Sequence, residues 1–105
     1  MKLLFTVLTI FFAAVSYGDS RWGIVNVQPE DAGSDATAIA AIKNALTPKE
    51  ASCVVELVQA GTQDQTSPNT IMQKLTVTVC GKKQKFSIQR SQTKPNNVLV
   101  SAKKI

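Results

Sequence analysis

The sequence predicts an α+β domain in which one helix packs across a four- to five-stranded antiparallel sheet, in the chain order β-α-β-β-β-β. Three observations lead to this fold class. One stretch, residues 36–46, repeats apolar residues at helical spacing. Five other stretches are strand-like and are separated by turn formers. The two cysteines are spaced so that they can face each other across a pair of these strands.

The first 18 residues have the pattern of a secretory signal peptide. Lys2 precedes a mainly apolar run, and Ser16 and Gly18 occupy the −3 and −1 positions of a cut before Asp19. The run is too short for a membrane span, and no second apolar run of that kind follows. We therefore expect residues 19–105 to form one secreted, extracellular domain without a membrane span.

The helix follows a candidate first strand at residues 21–28. Ser34 or Asp35 can cap a helix that runs to Leu46, and Pro48 prevents its continuation. Its apolar residues fall on one stripe, which must pack against a sheet: Ala38, Ile39, Ile42, Ala45 and Leu46.

The predicted sheet uses four further strand-like runs, at residues 52–59, 71–80, 85–90 and 97–104. Between the second and third of these runs, Gly81 and Lys82 can form a two-residue type II′ turn. That turn places Leu75 opposite Ile88, so the apolar face of one strand continues across the hairpin.

A disulfide between Cys53 and Cys80 is expected if the chain is secreted. The alternatives are a pair of free thiols or intermolecular bonds. On the chain-entropy estimate the bridge contributes roughly 3–4 kcal/mol. If the cysteines face each other across antiparallel strands, Val54 lies opposite Val79 and the hairpin turn is centred between residues 66 and 67. The bridge then lies on the sheet face away from the helix.

Enzymatic activity is not expected. The sequence contains no histidine, which removes the general base of Ser/His and Cys/His sites and the commonest metal ligand. The acidic residues Glu30, Asp31 and Asp35 precede or begin the helix, where negative charge complements the helix dipole. We therefore expect no catalytic residue, no metal and no cofactor.

Charge is distributed unevenly along the chain. Residues 19–64 carry all seven acidic residues and a net charge of −4, whereas residues 65–105 carry eight basic residues and no acidic one. Such a segment can bind an anionic surface, or its lysines can simply keep the strand faces solvated. Aromatic residues are not interleaved with the lysines, so nucleic-acid binding is not expected.

Small size, the signal peptide and the order β-α-β-β-β-β resemble the cystatins, which inhibit papain-like cysteine proteases. The resemblance covers most of residues 19–105 at the level of topology. Members of that family insert a wedge of three parts into the protease cleft. These are an N-terminal segment with a glycine, a first hairpin loop reading Gln-x-Val-x-Gly, and a second hairpin loop, often Pro-Trp.

The resemblance implies a set of protease-binding residues in this sequence. Trp22-Gly23 is the counterpart of the glycine segment, although an ordinary strand start with a packed tryptophan is the alternative. Residues 59–61, Gln-Ala-Gly, are one candidate for the first loop, but residues 65–69 fit the hairpin tip better. Ser67 stands where the family has valine, and no tryptophan follows the proline of the second loop. The full expected set is Trp22, Gly23, Gln65, Thr66, Ser67, Pro68, Asn69 and Pro95.

Two functions therefore follow as expectations. The first is reversible, non-covalent inhibition of a papain-like cysteine protease. The second is a non-inhibitory, cystatin-like binding protein, such as a venom, salivary or defence protein, that acts on an extracellular or anionic partner through the basic residues of segment 65–105.

Overall fold

A computed structural model describes residues 22–105. The expected signal peptide, residues 1–18, lies outside the described residues. The described part contains, in chain order, β1 (Trp22–Val27), a 3-10 turn (Pro29–Asp31), α1 (Asp35–Ala45), α2 (Pro48–Ala51), β2 (Val55–Ala60), β3 (Asp64–Ser67), β4 (Thr70–Val79), β5 (Lys82–Lys94) and β6 (Asn97–Lys104). Neither of its helices has the length and apolar character needed to span a membrane.

The strands form one antiparallel sheet in the order β1-β6-β5-β4-β2, and β3 also pairs with β4. The α+β class, with one main helix on an antiparallel sheet, is confirmed. The sheet has six strands rather than four to five, because residues 64–67, expected to form part of a loop, make the additional strand β3. The first strand pairs with the last, and Trp22 lies opposite Lys103.

Helix α1 begins as predicted at a side-chain cap. The backbone N–H of Thr37 donates a hydrogen bond of 3.1 Å to Ser34 Oγ. One face of the helix is buried, with Ala38, Ala41 and Ile42 fully inaccessible to solvent. This face packs mainly against β1 and β6.

Pro48 ends α1 by starting a second, short helix. Proline cannot continue a helix, but it suits a first helical position because its missing N–H is not needed there. Thr47 and Glu50 form a reciprocal capping box around it. Burial raises the pKa of Glu50, but hydrogen bonds from Thr47 and Gln84 outweigh burial, so the net pKa of this carboxyl lies below its ordinary value.

Gly23 allows β1 to lie unusually close to α1. A Cβ atom at this position would overlap the carbonyl oxygen of Ala41 and the amide nitrogen of Ala45. Only glycine therefore fits between strand and helix. Beside this contact, Asn44 Nδ2 donates a hydrogen bond of 3.0 Å to the carbonyl oxygen of Ile24. Both interactions join α1 to the edge strand of the sheet.

The core lies between α1 and the inward-facing residues of the sheet. Its largest fully buried side chains are Phe86, Ile42, Leu75, Ile88, Val77, Val79 and Val100. Burying an apolar side chain of this size stabilises the fold by about 1.5–3 kcal/mol relative to exposure. Strands β2, β4, β5 and β6 contribute buried residues, and β1 contributes the partly buried Val25 and Val27, so sheet and helix form one hydrophobic cluster.

The hairpin between β4 and β5 turns one residue earlier than predicted. Cys80 and Gly81 form its two-residue turn, with φ values of 52° and 80°. Positive φ at both positions is the mark of a type I′ turn, whose twist matches that of the flanking strands. Leu75 therefore lies opposite Phe86 and not Ile88. The error moves each partner by two residues, so every side chain keeps its predicted face.

The register between β2 and β4 is also different from the prediction. Val55, not Val54, lies opposite Val79. Val55 is buried, whereas Val54 is 74% exposed. Cys80 lies in a turn and Cys53 follows α2, so the two cysteines are not a cross-strand pair and do not set the strand register. A one-residue shift exchanges the two faces of a strand, which is why the expected apolar face of β2 was wrong.

The disulfide between Cys53 and Cys80 is confirmed, with a Cα–Cα distance of 5.2 Å. Cys53 is partly buried and packs against the hydrophobic cluster, while Cys80 is exposed. The expected position on the sheet face away from the helix is therefore wrong. The bridge ties the end of α2 to the β4–β5 turn.

Candidate functional site

The two hairpin tips at one end of the sheet are built alike. Residues 65–69 read Gln-Thr-Ser-Pro-Asn and residues 92–96 read Gln-Thr-Lys-Pro-Asn. In both, the Pro-Asn pair forms a two-residue turn, and the strand register shifts just before it. The side-chain amide of Gln65 donates to the carbonyl of Pro68 at 3.3 Å, and that of Gln92 donates to the carbonyl of Pro95 at 3.2 Å.

Proline explains the shared geometry of these tips. The ring fixes φ near −65°, which excludes the type I′ turn used between β4 and β5. A bulge in the preceding strand adjusts the local twist instead.

The first turn is centred between Pro68 and Asn69, two residues after the predicted centre. The repeated Gln-Thr-x-Pro-Asn pattern was present in the sequence, but sequence reasoning did not use it.

The two tips lie side by side. β4 begins where β5 reaches its last residues, and the backbone N–H of Gln92 donates to the carbonyl of Asn69 at 2.9 Å. The structure therefore brings residues 65–69 and Pro95 together at one end of the sheet. The alternative loop, residues 59–61, does not lie at a tip, since Ala60 pairs with Leu75 and the N–H of Gly61 donates to the carbonyl of Lys74.

Trp22 and Gly23 lie at the other end of the sheet. Trp22 is opposite Lys103 in β6, six residues from Asn97 at the second tip. At about 3.3 Å per residue this separation is roughly 20 Å. Gly23 is buried beneath α1, so it makes a packing contact. The three predicted parts of the wedge do not form one surface, because β1 pairs with β6 and approaches the tips with its last two residues, Asn26 and Val27, and not with Trp22.

A cavity of about 320 Å³, here called the tip cavity, opens between the two tips and the loop that precedes α1. Ala32 and neighbouring loop residues line one side. Gln65 and Pro68 of the first tip line another, and Gln92 and Arg90 of β5 complete it. The cavity lies on the α1 side of the sheet, because Arg90 shares its face with Phe86 and Ile88.

Arg90 is a buried cation beside this cavity, with 5% of its surface exposed. Its Nε donates to the carbonyl of Ala32 at 2.6 Å, and its Nη1 donates to Gln73 Oε1 at 2.8 Å. Its Nη2 has no hydrogen-bond partner among residues 22–105. Burial lowers the pKa of Arg90, and the negative charge of Asp35 acts in the opposite direction. Sequence reasoning counted Arg90 only as a basic residue. Its alternation with Phe86 and Ile88 was the signal that it points inward.

The opposite face of the sheet, away from α1, carries four lysines, here called the lysine face: Lys74, Lys83, Lys85 and Lys103. Lys74 and Lys103 flank Ser87 on the two strands beside β5. With strands about 4.8 Å apart, their Cα atoms are roughly 10 Å apart. The other two lysines lie opposite Thr76 and Thr78. Hydroxyl side chains therefore lie between the cations.

The margins of the lysine face have a different character. Trp22 is half-exposed at the β1 edge, and Lys103 Nζ lies 5.2 Å from the centre of its ring, a cation–π distance. Acidic side chains occur on the same face only toward its other margins in the described residues, with Glu56 opposite Thr78 and Asp64 opposite Met72. The centre of the face is positive.

Residues 22–105 contain no group of three or more acidic or cysteine side chains arranged to hold a metal ion. No family model, no curated protein and no solved structure matches the chain.

Proposed function

We propose that the protein is a non-catalytic binding protein whose lysine face binds an acidic polysaccharide. The observation that carries this proposal is the placement of four lysines on the sheet face opposite α1. A sheet holds its side chains at fixed spacing, so the lysines form a pre-arranged positive surface rather than a flexible charged segment. The excess of basic residues in segment 65–105 also favours an anionic partner.

The side chains around the lysines favour a polysaccharide over a membrane. Ser87, Thr76 and Thr78 offer hydroxyl groups that both donate and accept hydrogen bonds, as sugar hydroxyls do. Trp22 adds an exposed aromatic surface beside Lys103. Peripheral membrane binding relies on a broad apolar surface that enters the lipid. Among the described residues, the large exposed apolar side chains near this face lie at its two edges, with Trp22 and Ile24 in β1 and Val58 at the register shift of β2.

The experiment measures binding of residues 19–105 to heparin by titration calorimetry over a range of salt concentrations. Polyanion binding weakens as salt rises, because each bound lysine displaces condensed counterions. For nucleic acids, each contact lowers the slope of log K against log salt by about 0.7–0.9. Four contacts give a slope of about −3. The triple variant K74Q/K85Q/K103Q leaves one lysine on this face. The slope of log K against log salt should then become less steep, at about −1, and binding should weaken at least tenfold.

The matched control is K43Q/K49Q/K94Q, which removes the same charge elsewhere and should bind almost normally. Equal loss in both triple variants would mean that net charge, and not the lysine face, drives binding. Salt-independent binding, or binding to anionic vesicles but not to heparin, would contradict the proposal.

A second candidate function is inhibition of a papain-like cysteine protease, as the resemblance to cystatins implies. The support for it is the side-by-side arrangement of residues 65–69 and Pro95 at one end of the sheet. In this chain a protease-binding edge would consist of the two hairpin tips without Trp22 and Gly23.

Inhibition is tested with residues 19–105 against several papain-like proteases at micromolar protein. We expect exchange of Pro68 and Pro95 for alanine to weaken inhibition, and W22A to leave it unchanged. If every protease tested keeps its full activity in the presence of the protein, this candidate function is excluded. The lysine-face variants separate the two functions, since they should not affect inhibition through the tips.

A further inference from the structure

We infer that the tip cavity binds a small apolar group that carries a carboxylate, with Arg90 as the cation that recognises it. This inference is independent of the proposed function, because the cavity and the lysine face lie on opposite sides of the sheet. It rests on the buried guanidinium beside the cavity and on the composition of the cavity wall.

Among the described residues the guanidinium forms no hydrogen bond to a carboxylate, and the negative charge of Asp35 acts on it without forming one. Its described hydrogen bonds go to two neutral oxygens, the carbonyl of Ala32 and the side-chain amide of Gln73. Nη2 makes none among the described residues, although it exposes less than 1 Å² to solvent. A buried charge without a counter-ion is costly, and so is a buried donor without an acceptor. A carboxylate that reaches Nη2 relieves both costs at once.

The cavity wall favours a carboxylate attached to an apolar body. Pro29, Pro68, Ile71 and Val98 contribute apolar surface, and Gln63 and Asn69 contribute amide groups. The volume of about 320 Å³ corresponds to roughly ten water molecules at about 30 Å³ each, which suits a leucine-sized group and excludes a folded domain. One guanidinium nitrogen with neutral amides matches a single negative charge better than a doubly charged phosphate.

Access to Nη2 requires a lining side chain to move, because this nitrogen is enclosed. Gln65 and Gln92 are exposed lining residues, and the side-chain amide of each is held to its own turn by one hydrogen bond of 3.2–3.3 Å. Exposed side chains of this kind change rotamer within nanoseconds. We therefore expect these two glutamines to move aside when the ligand enters. Gln65 and Gln92, one from each tip, would then together control entry to the cavity.

Two sources can supply such a carboxylate: a free short-chain acid, or the C-terminal residue of a polypeptide. Isovalerate represents the first source and N-acetyl-leucine the second. Isovaleramide and N-acetyl-leucinamide are the uncharged controls. Each compound is titrated into ¹⁵N-labelled residues 19–105 up to about 10 mM, tenfold above a dissociation constant of about 1 mM. NMR then reports the backbone amides and the Arg90 Nε–H group.

We expect saturable shifts at Arg90 and at both tips with at least one acid, and at least about tenfold weaker binding of its amide. Binding of N-acetyl-leucine alone would identify the C-terminus of a chain as the ligand. Binding of both acids would identify apolar carboxylates in general. Absence of shifts with both acids, or equal binding of acid and amide, would overturn the inference.

The variant R90M removes the charge with little change in volume and should weaken acid binding at least about tenfold. K94M is its control, since it removes an exposed positive charge close to the second tip and should bind as the unchanged protein does. Equal loss in both variants would overturn the inference. Should R90M fail to fold, the acid–amide comparison in the unchanged protein still decides the result.

Discussion

Removal of the disulfide provides the sharpest test of how this small domain is stabilised. The bridge joins residues 27 apart in sequence. A loop of this length restricts the unfolded chain by about 12 cal/mol/K, which corresponds to about 3.5 kcal/mol at 25 °C. For a domain of this size, 1 kcal/mol shifts Tm by about 4–8 °C. We therefore expect C53A/C80A to unfold about 14–28 °C below the unchanged protein.

The position of Cys80 adds a second, separable effect. Its φ of 52° lies in the left-handed region, where a residue with a Cβ atom costs roughly 1–2 kcal/mol. Asparagine tolerates this conformation best among the non-glycine residues, and Asn-Gly is a preferred type I′ pair. C53A/C80N should therefore be about 1 kcal/mol more stable than C53A/C80A, with a Tm about 4–8 °C higher.

Circular dichroism measures the thermal transitions, and urea unfolding of the same three proteins gives the free energies. A Tm for C53A/C80A within about 5 °C of the unchanged protein would refute the argument from loop closure. Equal stability of the two double variants would instead refute the assignment of the Cys80-Gly81 turn. The two measurements therefore test the cross-link and the turn conformation separately.

Four further outcomes are expected. G23A should destabilise the fold by about 3 kcal/mol or more in urea unfolding, because its methyl group meets helix backbone. G33A should change stability by less than about 0.5 kcal/mol, since a Cβ there meets nothing within 4 Å among the described residues. S34A should cost about 1 kcal/mol through loss of the α1 cap. The lowered pKa of Glu50 contributes stability above its unfolded pKa, and this contribution should disappear as pH falls through the folded pKa. E50Q should flatten that acid dependence in unfolding measurements between pH 2 and 7, and an unchanged slope would contradict it.

Local patterns predicted the elements of this fold better than their pairing. The side-chain cap, expected at Ser34 or Asp35, followed from the residue preference at helix starts, and the burial of Ala38 and Ile42 followed from helical spacing. Both patterns depend only on neighbouring residues. The pairing of β1 with β6 joins residues far apart in sequence, and no local pattern specifies it. This pairing separates Trp22 from the hairpin tips, so the expected three-part surface depended on the least predictable feature.

The β2 register shows how one incorrect assumption displaces a whole strand. The cysteines were expected to face each other within strands, but Cys80 occupies a turn. Valine occurs at both 54 and 55, so the sequence pattern itself does not select the buried residue. The short helix α2 shifts the start of β2 and brings Val55 inward.

The tip cavity was missed for a related reason. Residues 65–69 and Pro95 were expected at hairpin tips, and both lie there. The loop that covers Arg90 comes from residues 29–33, more than fifty positions earlier in the chain. Alternation along β5 indicates that Arg90 points inward, but it does not indicate what lies above it.

The hydrogen bond between Asn44 and the carbonyl of Ile24 has a consequence for self-association. The outer strand of an open sheet offers unpaired backbone groups to any other extended chain, which is a route to aggregation. On β1, the side chain of Asn44 already occupies one of these acceptors. At the opposite edge, β2 and β3 each pair with β4, and a register shift interrupts each of these pairings. Within residues 22–105, neither edge therefore presents an unbroken row of free backbone groups, so the edges resist the addition of another strand while the sheet faces stay open to partners.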